Sequence, residues 1–155
     1  MLSPRFQNAV SNLYDQDFHL WLQQTVQALK NRDLDHLDWE NLIEEIDSMA
    51  RSEKKELKSR LIVIIEHLLK LMFWDSEKAQ NARGWRSTLI EQRSQLELVL
   101  DDSPSLKPWL DEVFLDCYGK ARLQTLRKYE LPQICFPEMA PFSLADALNP
   151  DFLPD

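Results

Sequence analysis

Three ionisable residues, Glu66, His67 and Lys70, stand inside the most apolar stretch of the chain, which runs from Leu61 to Trp74. Gln92 and Arg93 interrupt a second apolar pattern further on. Polar groups on the packed face of a helix cost free energy unless they are paired, so each of these five calls for a partner. Glu44 and Glu45, on an earlier acidic segment, are the candidates. Facing His67 and Arg93 across a helix contact, they would complete a network of carboxylate, imidazole and guanidinium, with Arg93 suited to a bidentate carboxylate. Such a network can simply fix helix register, or it can do chemistry. In the second case a glutamate and His67 hold a divalent ion or act as acid and base, as in a metal-dependent hydrolase or nuclease.

Spacing favours the structural reading. Carboxylate sites in helical bundles use Glu-x-x-His, which puts both ligands on one face, but Ile64 stands three residues before His67. There is no HExxH, and the other histidines, His19 and His36, lie far away in sequence. No metal and no cofactor is assigned. Serine and cysteine nucleophiles lack support: GxSxG is absent, and neither Cys117 nor Cys135 has a histidine near it in sequence. Two glycines, Gly84 and Gly119, could hardly build a phosphate-cradling loop.

A second constellation is basic. Arg51, Lys54, Lys55 and Lys58 recur at spacings of three and four, so one helix through them would line up four cations able to meet phosphates. Glu53 and Glu56 interrupt the stripe, a mixture typical of a solvated helix surface with weak ion pairs. A net charge of -8 also disfavours a sequence-independent grip on nucleic acid or anionic lipid. Contact with nucleic acid is therefore the less favoured reading of the stripe. Five tryptophans are many for this length; Trp74 and Trp85 flank one polar segment, where exposure of either ring would mark a binding groove.

Helices must carry these residues to one another. Glycine is scarce and 44% of the 155 residues are hydrophobic, as expected of a folded, strand-poor chain. Phe18, Trp21, Leu22, Val26 and Leu29 predict a first helix from Asp15 to about Lys30, with Asp15 as its cap. Asp38 caps a second, carrying Trp39, Leu42, Ile43, Ile46 and Met49. A break near Ser52 is expected before a third helix ending about Trp74. There Leu57, Leu61, Ile64, Leu68 and Leu71 form one stripe and Ile62, Ile65, Leu69 and Met72 another, which makes it the central helix. A polar turn over residues 75–82 precedes a fourth helix from Trp85 to about Leu100, and a fifth runs from Pro108 to Tyr129. Ser143 to Asp146 fits a capping box for one short helix to Leu148. The expectation is an all-α bundle of four to five main helices in a single domain, residues 1–155. Residues 1–13 form an N-terminal arm, 14–130 the bundle, and the proline-rich 131–155 a segment wrapping over it.

Several segments together resemble the largely cyanobacterial family catalogued as domain of unknown function 29 (DUF29). They are Tyr14-Asp15, Glu40 to Ile46, His67 to Lys70, Trp85-Arg86, Glu91 to Arg93, Ser103 to Leu106, and Asn149 to Pro154. The resemblance implies a compact helical fold and supplies no activity whose residues could be carried over. What it leaves is a non-catalytic helical module, regulatory in type, that binds another protein or a second copy of itself. With no basic leader before an apolar stretch, and no span apolar enough for a bilayer, a cytoplasmic protein without membrane contact is expected.

Overall fold

A computed structural model of the chain describes residues 13–155. The fold is all-α, a helical bundle, as the scarcity of glycine suggested. The expected arm over residues 1–13 lies, except for its last residue, outside the described residues. The chain divides into two compact units, the first ending at Ser52 and the second running from Glu53 to Asp155.

In the first unit, residues 13–16 are helical and α1 spans Phe18–Lys30. Its cap is Asp17, not Asp15: the Asp17 carboxylate accepts from the Leu20 N–H, leaving Asp15 in the preceding turn. Two main-chain bonds close the other end, Asp33 N to Ala28 O at 2.9 Å and Arg32 N to Leu29 O at 3.1 Å. Arg32 takes a positive φ of 57°, the left-handed residue of a Schellman end, where glycine is usual. Trp21 is the buried anchor, edge-on to Tyr14 at 4.9 Å, with its indole N–H donating to Asp38 at 3.3 Å. Asp38 also accepts from the Asn41 side chain at 2.7 Å, so the residue expected to cap the next helix stands at its start.

That helix, α2, spans Trp39–Phe73 without interruption, so the break expected near Ser52 is absent. The residues around it, Met49 to Glu56, contain neither glycine nor proline, and a lone serine costs an α-helix only a few tenths of a kcal/mol. Only Trp74 separates α2 from α3, Asp75–Asp102. The polar turn expected over residues 75–82 is thus helical. Its alanines, glutamate, lysine and glutamine are good helix formers, and Asp75 and Glu77 in the first turn favour a helix N-terminus. Polarity all round marks a solvated stretch of helix here rather than a turn.

In the second unit, Leu57, Leu61, Ile64, Ile65, Leu68, Leu69 and Leu71 of α2 are fully buried, both expected stripes contributing. They pack in one core with Leu89 and Leu96 of α3 and with Leu110, Phe114, Cys117, Tyr118 and Ala121 of α4, Lys107–Lys128. A 3₁₀ turn, Pro104–Leu106, joins α3 to α4. A second Schellman end closes α4, with Leu131 N to Leu126 O at 2.8 Å and Glu130 at φ 53°. Beyond it Phe136, Phe142, Leu144 and Ala147 are buried in the same core. The expected capping box is present at α5, Leu144–Leu148: Ser143 accepts from the Asp146 N–H at 3.1 Å, and Asp146 from the Ser143 N–H at 3.1 Å. Among the described residues no helix is long and apolar enough to cross a membrane.

Candidate functional site

Glu66, His67 and Lys70 come together through helix geometry alone, since residues three and four apart share a face. Lys70 Nζ donates to Glu66 Oε1 at 3.3 Å and lies 3.4 Å from His67 Nε2. The other ring nitrogen of His67, Nδ1, is 2.8 Å from the Val63 carbonyl, which can only accept. Nδ1 therefore carries the proton and Nε2 accepts from the ammonium. Burial, and then the Lys70 charge, hold the His67 pKa below its ordinary value, against the pull of the Val63 carbonyl and Glu66.

Aromatic rings complete the surroundings of Lys70, whose side chain is only 3% exposed. Its ammonium sits 5.2 Å from the centre of the Trp85 ring and 5.3 Å from that of Tyr129. Trp74 stacks on Trp85 at 5.7 Å and packs against Tyr129 at 4.9 Å. The two tryptophans are thus partly buried against each other and around Lys70. The cage is built from α2, which supplies the cation, the one-residue joint and α3, which supply the indoles, and Tyr129 just past the end of α4, which supplies the phenol. Lys128 adds a more distant contact to Glu66 at 3.9 Å.

Arg93 has a different role from the one expected. Its guanidinium meets no carboxylate but three main-chain carbonyls: Ala147 at 2.8 Å from Nε, and Phe152 at 2.9 Å and Asp146 at 3.3 Å from Nη2. Two of these carbonyls belong to the last turn of α5; Asp146 O also accepts from the Asn149 N–H at 3.1 Å, whereas Ala147 O lies beyond the reach of that capping bond. Burial lowers the Arg93 pKa. Arg122 on α4 does the same work, donating to Phe136 O at 3.1 Å and Gln133 O at 2.9 Å. It borders an open depression of about 350 Å³ with Ile134, Pro137 and Glu138. Gln92 accepts from Arg60 at 3.2 Å, and Arg60 is held in turn by Glu56 at 2.8 Å.

Glu44 and Glu45 find their partners within the first unit. Arg51 donates to Glu44 at 2.7 Å, and the Tyr14 hydroxyl donates to Glu45 at 2.5 Å, which pushes the phenol pKa up to about 12. Of the basic stripe, Arg51 is committed to Glu44, Lys54 lies 5.3 Å above the Trp109 ring, and Lys58 pairs with Asp116 at 3.1 Å; Lys55 is exposed. Among the described residues, no three histidine, cysteine, aspartate or glutamate side chains converge to share a metal ion.

The first unit also carries a feature that periodicity could not reveal. On α1, Phe18, Leu22, Val26 and Leu29 form a stripe beside the buried Trp21 and Thr25, and all four are exposed. On α2, Trp39, Ile43, Ile46 and Met49 form another, with Ile43 at 56%, Ile46 at 58% and Met49 at 69% exposure. These are the apolar faces whose periodicity predicts the two helices.

No protein of curated annotation and no solved structure matches the chain. A family model does, over residues 13–153, nearly the whole chain; by that match the chain belongs to the family described as domain of unknown function DUF29.

Proposed function

We propose that this protein is a non-catalytic helical module that binds another protein through the apolar stripes of α1 and of the first turns of α2. The observation that carries this reading is the exposure of Trp39, Ile43, Ile46 and Met49 at strict helical spacing. Scattered apolar side chains on a surface are ordinary, but a whole amphipathic face turned to water forgoes about 1.5–3 kcal/mol for each large side chain left unburied. The ionisable cluster supports the same reading from the other side. Both His67 nitrogens, the Lys70 ammonium and the Arg93 Nε and Nη2 are engaged by their own chain, while Arg93 Nη1 is buried without a partner among the described residues, which is the pattern of a structural network.

The test uses the doubly substituted full chain Ile43→Ser/Ile46→Ser, which keeps the charge. Because both side chains are exposed, stability should stay within about 0.5 kcal/mol of wild type. Partners that co-purify with wild type should be lost from this variant and kept by Ile134→Ser, which alters a still more exposed apolar residue of the second unit. Retention of every partner by the double variant refutes the reading.

A further inference from the structure

Resting on that reading, we infer that the partner presents a basic amphipathic helix to the stripes. The argument is charge. Between residues 33 and 50 the sequence holds seven carboxylates and no lysine or arginine. On α2, Glu40, Glu44 and Asp47 follow the apolar stripe one position away, so they line its flank. Among the described cations of the first unit, Lys30 and Arg32 sit at the end of α1 and Arg51 neutralises Glu44, so the negative charge of the flank rests on Glu40 and Asp47. His36, the one imidazole in that interval, is paired with Asp33 at 2.8 Å.

An apolar stripe with an acidic flank selects its occupant in two ways. The stripe asks for apolar groups recurring at three and four, as one helix offers another, and the flank asks for lysine or arginine beside them. A second copy of this chain would bring the same carboxylates to the same place, and an anionic lipid surface would meet the same repulsion. A basic helix satisfies both demands.

The probe is a synthetic peptide of about 18 residues, five helical turns, with leucines at three-and-four spacing and lysine flanks. Its twin carries glutamate in place of lysine. Binding to the full-length protein is followed by calorimetry, with circular dichroism confirming that each variant keeps its helicity. The basic peptide should bind at least about 10-fold more tightly than its twin at low salt, an advantage that shrinks as salt rises from about 50 to about 500 mM. Ile43→Ser/Ile46→Ser should weaken it about 10-fold or more without altering charge, whereas Glu40→Lys/Asp47→Lys should erase the preference between the peptides.

Equal affinity for the two peptides, lost for both in the serine variant, overturns the charge inference and leaves the docking face standing. A dimer dissolved by the serine variant overturns it too, by making a second copy the occupant. Failure of both peptides, together with retention of all partners by the serine variant, overturns the docking reading and this inference with it.

Discussion

Replacing Lys70 tests whether the aromatic cage holds the second unit together. One ammonium serves Glu66 at 3.3 Å, His67 at 3.4 Å and two rings at 5.2 and 5.3 Å, behind a side chain that is 3% exposed. A desolvated cation over an aromatic face is worth up to about 2 kcal/mol, and removing one partner of a buried ion pair costs about 3–5 kcal/mol. The second figure falls toward its lower end here, because Glu66 keeps 16% exposure and has Lys128 at 3.9 Å. All the contacts share one nitrogen, so the terms overlap. Lys70→Ala should therefore cost about 3–4 kcal/mol rather than their sum. Lys70→Met loses the same charge contacts but keeps the stem and offers sulfur to the rings, and should cost about 1 kcal/mol less than Lys70→Ala. Adding Glu66→Gln to Lys70→Met should cost about 1 kcal/mol less than the two single changes together, since the carboxylate no longer waits for its partner. Urea unfolding followed by tryptophan fluorescence and circular dichroism reads all four proteins. A Lys70→Ala stability within about 0.5 kcal/mol of wild type, or strict additivity in the cycle, refutes the idea that the cage and its ion pair are coupled.

Three further outcomes are expected. The His67 pKa is lowered on folding, so the unfolded chain takes up the proton first; this contribution is fully present above the ordinary imidazole value of 6.5 and is lost as pH falls toward the folded pKa. The slope cannot exceed about 1.4 kcal/mol per pH unit for one proton, and unfolding curves across that range should show it flattened in His67→Gln; His36, raised by Asp33, acts with opposite sign and is common to both proteins. Arg93→Met should take the donor from the Ala147 and Phe152 carbonyls, while Asp146 O keeps the Asn149 N–H, costing about 2–4 kcal/mol and raising hydrogen exchange over residues 144–152 ahead of the rest; unchanged exchange there would dismiss the guanidinium as their anchor. Gly84 and Gly119 lie inside α3 and α4 with nothing within 4 Å of an added Cβ, so Gly84→Ala and Gly119→Ala should each raise stability by about 0.5–1 kcal/mol in thermal or urea unfolding, and a loss at either would show hidden crowding.

Much of this fold is written locally and can be read locally. The spacing of Leu57, Leu61, Ile64, Leu68 and Leu71 identifies the buried face of α2, and Ser143 with Asp146 announces the start of α5. Two boundaries mislead for one reason. Around Ser52 and over residues 75–82 polar composition suggests a break, but polarity alone does not stop a helix, and neither segment contains glycine or proline. Within the site, the helical spacing of Glu66, His67 and Lys70 is legible, whereas Tyr129 is not: it arrives from the end of another helix, and its position depends on packing. Arg93 looks from sequence like one half of an ion pair because carboxylates have names in a sequence and unpaired carbonyls do not. The stripes of α1 and α2 show the remaining limit. Periodicity says which side chains share a face and is silent on what, if anything, covers it.

The arginine clasps have a consequence for how the C-terminal segment responds to its surroundings. Arg93 and Arg122 grip main-chain oxygens, which every residue type supplies and which do not titrate. An exposed pair such as Lys120 with Asp116, at 3.0 Å, weakens as acid discharges the carboxylate or as salt screens the charges. The clasps are blind to the first of these and, being buried, largely sheltered from the second. Acidification or high salt should therefore loosen the surface of this protein long before it releases the end of the chain, and side chains in that end that neither pack nor cap are open to replacement without loss of its attachment.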